Sequence, residues 1–219
     1  MWSQFIGRHS QRYGKKMIQA VIFDMDGVLV DSEPANNAQV SDFMETLGRR
    51  PTEDFLNGLV GTSYEETSQR CLDYLGLAMP VETFLHDMDV YIRSHPYNYA
   101  QYLNSGVKET VEYLKDKGYK TAIASSSFVS QIQKMLEECQ LQNEFDLILS
   151  GEMFAESKPN PDIYLTAAKK LNVKPEECLV IEDSYFGIEA GKRAGVTAPA
   201  HGLYLNKVNY EIMEDEHEE

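Results

Sequence analysis

Residues 20–23 read Ala-Val-Ile-Phe, a continuous apolar run that stops at Asp24-Met25-Asp26-Gly27, and this abrupt change constrains the whole chain. Four apolar, largely β-favouring residues without polar alternation predict a short strand buried on both faces, as in the middle of a parallel sheet. Asp24 then falls at the strand's carboxyl end, which in open α/β sheets borders the crevice where ligands bind. Asp26 follows two residues later, so on an extended backbone both carboxylates leave the chain on the same side and converge. Gly27 allows a tight change of direction that a β-carbon would oppose. Converging carboxylates repel, and a shared proton or a hard divalent cation relieves the repulsion. Asp and Gly are also ordinary turn formers, so the pair alone leaves both readings open. A second apolar run, Val28-Leu29-Val30, closes on a further acid, Asp31-Ser32.

After Ser32 the pattern turns helical for about seventy residues. Val40, Phe43, Met44 and Leu47 recur at helical spacing between Glu33 and Gly48, and a short helix is expected over Thr52–Leu59. Gly61-Thr62-Ser63-Tyr64-Glu65-Glu66 reads as a turn and a capping box, with Ser63 as cap and Glu66 as its partner. Amphipathic helices are expected over 64–75 and 81–94. From Val107 helices and strands alternate: helix 107–117, strand 120–124, helix 129–138, strand 145–149, helix 161–171, strand 178–181 and helix 186–194. That order predicts right-handed crossovers and a parallel sheet covered on both faces. The expected fold is therefore an α/β, Rossmann-like parallel-sheet core, residues 17–32 and 103–210, with an α-helical cap inserted over 33–102. Thr197–His201 is a candidate last strand, and the residues beyond it carry no closing strand and helix.

Chemistry-bearing residues stand at the other strand ends too. Ser125, with Ser126 and Ser127, ends one strand before a helix, where a hydroxyl and free N–H groups can cap the helix or receive a phosphate. Lys158 lies in a loop stiffened by Pro159 and Pro161, which suggests that its position matters, although a lone loop lysine is usually a solvated charge. Glu182 and Asp183 close the strand Leu179-Val180-Ile181, where acids also suit the start of a helix.

Taken whole, Phe23-Asp-Met-Asp-Gly-Val-Leu-Val-Asp-Ser32 resembles the first motif of the haloacid dehalogenase-like hydrolase superfamily, in the branch containing β-phosphoglucomutase and small phosphatases. Thr-Ala-Ile-Ala-Ser125-Ser-Ser, Ser-Lys158-Pro-Asn-Pro-Asp and Ile-Glu182-Asp183-Ser-Tyr-Phe-Gly-Ile resemble its second, third and fourth motifs, in the family's order. The resemblance covers residues 17–200, roughly, and implies that the insertion is the family's helical cap. It implies Asp24 as a nucleophile that becomes an aspartyl-phosphate and Asp26 as the general acid and base. Ser125, with Ser126 beside it, and Lys158 would bind the phosphate. Mg2+ would be held by Asp24, the backbone carbonyl of Asp26, Glu182 and Asp183. The implied substrate is a small phosphorylated metabolite such as a sugar phosphate.

Within the branch, the acceptor decides the activity: water makes a phosphatase, a sugar phosphate a mutase. β-Phosphoglucomutases carry an arginine in the cap turn G-x-S-R that grips the second phosphate, whereas this turn reads Gly61-Thr62-Ser63-Tyr64. Asn36 replaces a histidine usual five residues after the first motif's last aspartate. Tyr64 offers a hydrogen bond but no charge, which favours the phosphatase, with the mutase as the alternative if Arg70 or Arg93 substitutes. Specificity is expected around Asn36, Gly61, Ser63, Tyr64 and Phe128. A dehalogenase has no need of an acid at position 26, and a silent binding module has no need of all four motifs.

Composition sets the remaining expectations. The formal net charge is -15, which argues against nucleic acid as a partner and requires a local positive focus to draw in an anionic substrate. No apolar stretch approaches the roughly 18 residues that cross a membrane. The first sixteen residues carry four basic groups, no acid and no apolar core, so a loosely ordered leader is expected, with Met17 as a candidate start. An acidic, solvated tail is expected over 211–219. Cys71, Cys139 and Cys178 lack paired spacing and read as buried, reduced thiols of a cytoplasmic protein. A monomer is expected.

Overall fold

The structure, a computed structural model, describes residues 18–59 and 64–196. The leader, Gly61, Ser63 and the capping box built on it, the candidate strand 197–201 and the acidic tail lie outside the described residues.

Two compact units divide the chain: one takes the described residues up to Asp31 and from Tyr99 onward, the other spans Ser32–Asn98. The first unit holds four strands, β1 (Ala20–Phe23), β2 (Lys120–Ser125), β3 (Leu147–Ser150) and β4 (Cys178–Ile181), all parallel in the order β3-β2-β1-β4. β1 is central: Phe23 pairs with Ile123 on one side and Ile181 on the other. Every residue of β1 and β4 is buried, which is why their sequences are unbroken apolar runs rather than alternating ones.

In the second unit, α1 (Glu33–Thr46), α2 (Glu53–Asn57), α3 (Tyr64–Leu75) and α4 (Val81–Ser94) contain no strand among the described residues. Thr52 starts α2 by accepting a hydrogen bond from the Phe55 N–H at 3.3 Å. The helices close over Phe43, Met44, Leu59, Cys71, Leu72, Phe84 and Met88, with Phe43 and Phe84 edge to face at 5.3 Å.

Back in the first unit, the crossovers are α5 (Val107–Asp116), α6 (Val129–Glu138), α7 (Asp162–Lys170) and α8 (Tyr185–Ala194). α7 and α8 bury Ile163, Tyr164, Ala167, Ala190 and Ala194 against the sheet face bearing Ala20, Ile22, Ala122 and Val180. One feature differs from the sequence expectation. β3 starts at Leu147 rather than 145: Phe145 packs edge to face on Phe23, Asp146 caps the start of β2 through the Thr121 N–H, and the ladder begins only afterwards. The second passage between the units lies at Asn98/Tyr99. There the Tyr99 N–H donates to the Glu138 carboxylate at 2.7 Å and the Tyr102 carbonyl accepts from the Asp31 N–H at 2.8 Å, tying that segment to the sheet unit. Among the described residues no helix is long and apolar enough to cross a membrane.

Candidate active site

The carboxyl ends of β1, β2 and β4 lie side by side, so Asp24, Ser125 and Glu182-Asp183 leave neighbouring strands at one level. The Asp24 N–H still donates to the Ile181 carbonyl at 3.0 Å, which fixes the first aspartate one step beyond the ladder. Gly27 then turns the chain with φ +73°, and Gly27 N–H and Val30 C=O close the loop at 2.8 Å. A β-carbon on Gly27 would also land on the Asp183 carboxylate, so the tight loop and the fourth-strand acid share one space.

Lys158 arrives from the loop between β3 and α7, before a cis peptide to Pro159. Its ammonium donates to Asp24 Oδ1 at 2.7 Å, Glu182 Oε1 at 2.6 Å and the Ala124 carbonyl at 3.0 Å, which uses all three of its protons. Glu182 is saturated: Oε1 also accepts from the Tyr164 hydroxyl at 3.0 Å, and Oε2 from the Ser184 N–H and Oγ at 3.0 and 2.9 Å. Gly187 is packed so close that a β-carbon there would occupy the Glu182 carboxylate. By contrast, Asp24 Oδ2 accepts no hydrogen bond among the described residues.

Carboxylate oxygens of Asp24, Glu182 and Asp183 lie within 4.8 Å of one another. Such a set of hard oxygen donors fits a magnesium-sized divalent cation. Electrostatics point the same way, since burial pushes Asp24 up to about 7 despite Lys158, with Glu182 and Asp26 adding to the rise. Burial together with the Glu182 charge lifts Asp183 to about 6. Glu182 goes in the other direction: burial alone would raise it, but Lys158 and the two bonds from Ser184 hold it below the usual carboxylate range. Asp24 has no such second set of donors among the described residues. Burial opposes the charge of Lys158, yet Asp24, Tyr164 and Glu182 hold it well above the ordinary lysine value.

Ser125, buried at the end of β2, accepts the Ser127 N–H at 3.0 Å, while Ser126 is exposed. Asp26 meets the Ser127 hydroxyl at 2.6 Å. Ser150, Tyr164 and the Ser127–Asp26 bond were not legible as site features: a strand-end serine and a core tyrosine carry no signal of their own, although Ser184 before a helix does. Of the expected specificity residues, Phe128 lies exposed at the start of α6 in the sheet unit, and the others belong to the other unit. Asn36 lies exposed on α1, Tyr64 is the first residue of α3, and Gly61 and Ser63 fall outside the described residues. Arg70 is engaged by the Gly58 carbonyl at 2.7 Å and Glu66 at 2.5 Å, and Arg93 by Asp89 at 2.8 Å.

Residues 21–200 match the family described as haloacid dehalogenase-like hydrolase. The phosphorylated carbohydrates phosphatase of Thermotoga maritima is 34% identical over 182 residues, 82% of each chain. The β-phosphoglucomutase of Bacillus subtilis is 30% identical over 191 residues, 84% of each chain. A crystal structure of a CbbY variant from Rhodobacter sphaeroides with xylulose-1,5-bisphosphate is 26% identical over 86% of this chain and 88% of that one, with a TM-score of 0.64. With phosphatases and a phosphoglucomutase at this level of similarity the protein is an enzyme, hydrolase or mutase, and the chain belongs to the haloacid dehalogenase-like hydrolase family.

Proposed function

We propose that the chain is a Mg2+-dependent phosphatase of a small phosphorylated metabolite, a sugar phosphate by class, working through an aspartyl-phosphate on Asp24. The observation that carries this reading is the state of Asp24: one oxygen is held by Lys158 at 2.7 Å, the other has no hydrogen-bond partner among the described residues, and the residue belongs to the carboxylate cluster with Glu182 and Asp183. A nucleophile needs that combination of orientation and a free lone pair.

Asp24 Oδ2 attacks phosphorus, and the bond to the leaving oxygen breaks. Asp26, as the acid, gives its proton to that oxygen, then as the base takes one from the water that hydrolyses the aspartyl-phosphate. Ser125 supplies a hydrogen bond to a phosphoryl oxygen, while Lys158, whose three protons are held by Asp24, Glu182 and the Ala124 carbonyl, contributes its charge and keeps Asp24 aligned through the transfer. Asp24, the Asp26 carbonyl and Asp183 would hold Mg2+, with Glu182 beside them already committed to Lys158 and Ser184. When bound, Mg2+ offsets the charge that otherwise repels a phosphate dianion from the carboxylates.

Water rather than a second sugar phosphate is the acceptor in this reading. Tyr64 stands where the mutases have an arginine, and the two cap arginines that could replace it are bound to Glu66 and Asp89. The higher identity to the phosphatase than to the mutase supports the same choice.

The test incubates the protein and Mg2+ with β-glucose 1-phosphate, a trace of glucose 1,6-bisphosphate and, separately, a panel of sugar phosphates, following isomer and free phosphate independently. Release of phosphate is expected, and Asp24→Asn abolishes it. Isomerisation without phosphate release overturns the phosphatase reading in favour of the mutase.

A further inference from the structure

Ser127 lies 101 residues from Asp26 in sequence, yet its hydroxyl donates to Asp26 Oδ2 at 2.6 Å, at the short end of O–H···O hydrogen bonds. The donor is not a free surface rotor. Its backbone N–H is held by Ser125 Oγ at 3.0 Å, and its carbonyl accepts from Ser150 Oγ at 2.6 Å. Ser150 is fully buried at the end of β3 and is itself held by the Glu152 N–H at 3.3 Å. The next residue packs closely on the turn: a β-carbon on Gly151 would stand 3.1 Å from the Cα and carbonyl oxygen of Ser126, so that backbone would have to give by a few tenths of an ångström. The turn after β2 is thus seated on the end of β3, and its third serine is delivered to the aspartate three residues past the end of β1.

We propose that Ser127 is a positioning residue for Asp26: seated by Ser150 and Ser125, its hydroxyl holds Oδ2 so that Oδ1 faces the reacting oxygen. The proposal rests on the reading of Asp26 as the acid and base. Asp26 Oδ1 accepts no hydrogen bond among the described residues, so it is the oxygen left to carry the proton. In the first half-reaction that proton passes from Oδ1 to the leaving oxygen as the phosphorus–oxygen bond breaks and its electron pair stays on the leaving group. In the second, Oδ1 takes a proton from the attacking water as its oxygen bonds to phosphorus and the bond between phosphorus and Asp24 Oδ2 breaks, which returns the carboxylate and releases phosphate. Ser127 keeps its own proton throughout, and it is not committed to binding the substrate's phosphate.

Two probes separate these roles: 4-nitrophenyl phosphate, whose leaving group departs without a proton, and phenyl phosphate, whose leaving group gains much more from one. kcat/KM reports the first half-reaction. Ser127→Ala is expected to lower kcat/KM for phenyl phosphate by about tenfold to a hundredfold and for 4-nitrophenyl phosphate by no more than about threefold. The inhibition constant of inorganic phosphate is expected to stay within about twofold, and Ser127→Thr to restore most of the loss, since it keeps the hydroxyl. In an Asp26→Asn background, Ser127→Ala is expected to add nothing.

Equal losses on both probes, weaker inhibition by inorganic phosphate, or a further loss in the Asp26→Asn background would each overturn the positioning role. Asp26→Asn alone separates the two levels: if it leaves phenyl phosphate turnover intact, the acid–base reading of Asp26 fails, and the positioning proposal with it. If it is impaired and Ser127→Ala is not, only the positioning proposal fails.

Discussion

Replacing Lys158 by methionine keeps roughly the length of the side chain and removes one charge from a cluster built around it. The ammonium is 6% exposed and pairs with Asp24 and Glu182, whose side chains are 11% and 1% exposed. Breaking a buried pair by removing one partner costs about 3–5 kcal/mol, because the partner's charge is left uncompensated. For a chain of this size that is a fall in melting temperature of about 6–20 °C. The cost depends on pH with a definite sign. Glu182 is held below its ordinary value in the folded protein, so its stabilisation is present above the unfolded pKa and is lost as pH falls through the folded one. Asp24 and Asp183, raised to about 7 and about 6, are already largely protonated at pH 5. The ammonium therefore has more charge to compensate at pH 7.5 than at pH 5. Thermal unfolding observed by circular dichroism, with chelator present, is expected to show the full deficit at pH 7.5 and roughly half of it at pH 5. A deficit that is constant with pH, or larger in acid, would falsify the assignment of Lys158 as the counterion of this cluster.

The raised acids make a second prediction for the unmodified protein. Between the unfolded value of 3.8 and the folded values of about 6 and about 7, the folded state binds more protons than the unfolded one. Stability without Mg2+ therefore falls as pH rises through that window, by up to about 1.4 kcal/mol per pH unit for each proton. Mg2+ competes with those protons, so the rise in melting temperature on adding it is expected to be larger at pH 8 than at pH 5.5; equal shifts would refute the cluster as the site. A third concerns Gly27→Ala. Its positive φ of +73° costs about 1–2 kcal/mol once a β-carbon is present, a fall of about 2–8 °C. The β-carbon also displaces the Asp183 carboxylate. Titration of the melting temperature with Mg2+ is expected to need more metal than the unmodified protein; an unchanged titration would show that Asp183 is not a ligand.

How much of this was legible in sequence depends on distance along the chain. Buried parallel strands are continuous apolar runs, so Ala20–Phe23 and Cys178–Ile181 announce themselves, and the next residue is automatically at the strand end. Asp24, Ser125 and Glu182 could be placed from that alone. Lys158 could not, since a loop lysine between two prolines has no periodic pattern to place it. Its role came from the resemblance, and the three hydrogen bonds it makes are now explicit. Contacts between distant segments left no trace. Tyr164 reads as a core residue on the buried face of α7, which it is, while its hydroxyl supports Glu182. Gly187 is legible as part of the fourth motif, but nothing local says that the Glu182 carboxylate fills the place of its β-carbon.

Charge explains why these pieces belong together. Asp24, Asp26, Glu182 and Asp183 bring four carboxyl groups to the ends of β1 and β4, and Lys158 answers with one ammonium in a chain whose net charge is already -15. Full ionisation of that group would leave a local excess of negative charge, and burial first, with the neighbouring acids adding to it, raises Asp24 and Asp183. A phosphate dianion meets the same deficit, so substrate and divalent cation are favoured together more than either is alone. Glu182, saturated by Lys158, Tyr164 and Ser184, is the fixed member of the set. Asp24 and Asp183, raised to about 7 and about 6, are the members whose charge changes near neutral pH. The coupling is reciprocal: if inorganic phosphate binds more tightly with Mg2+ present, Mg2+ must bind more tightly by the same factor with phosphate present.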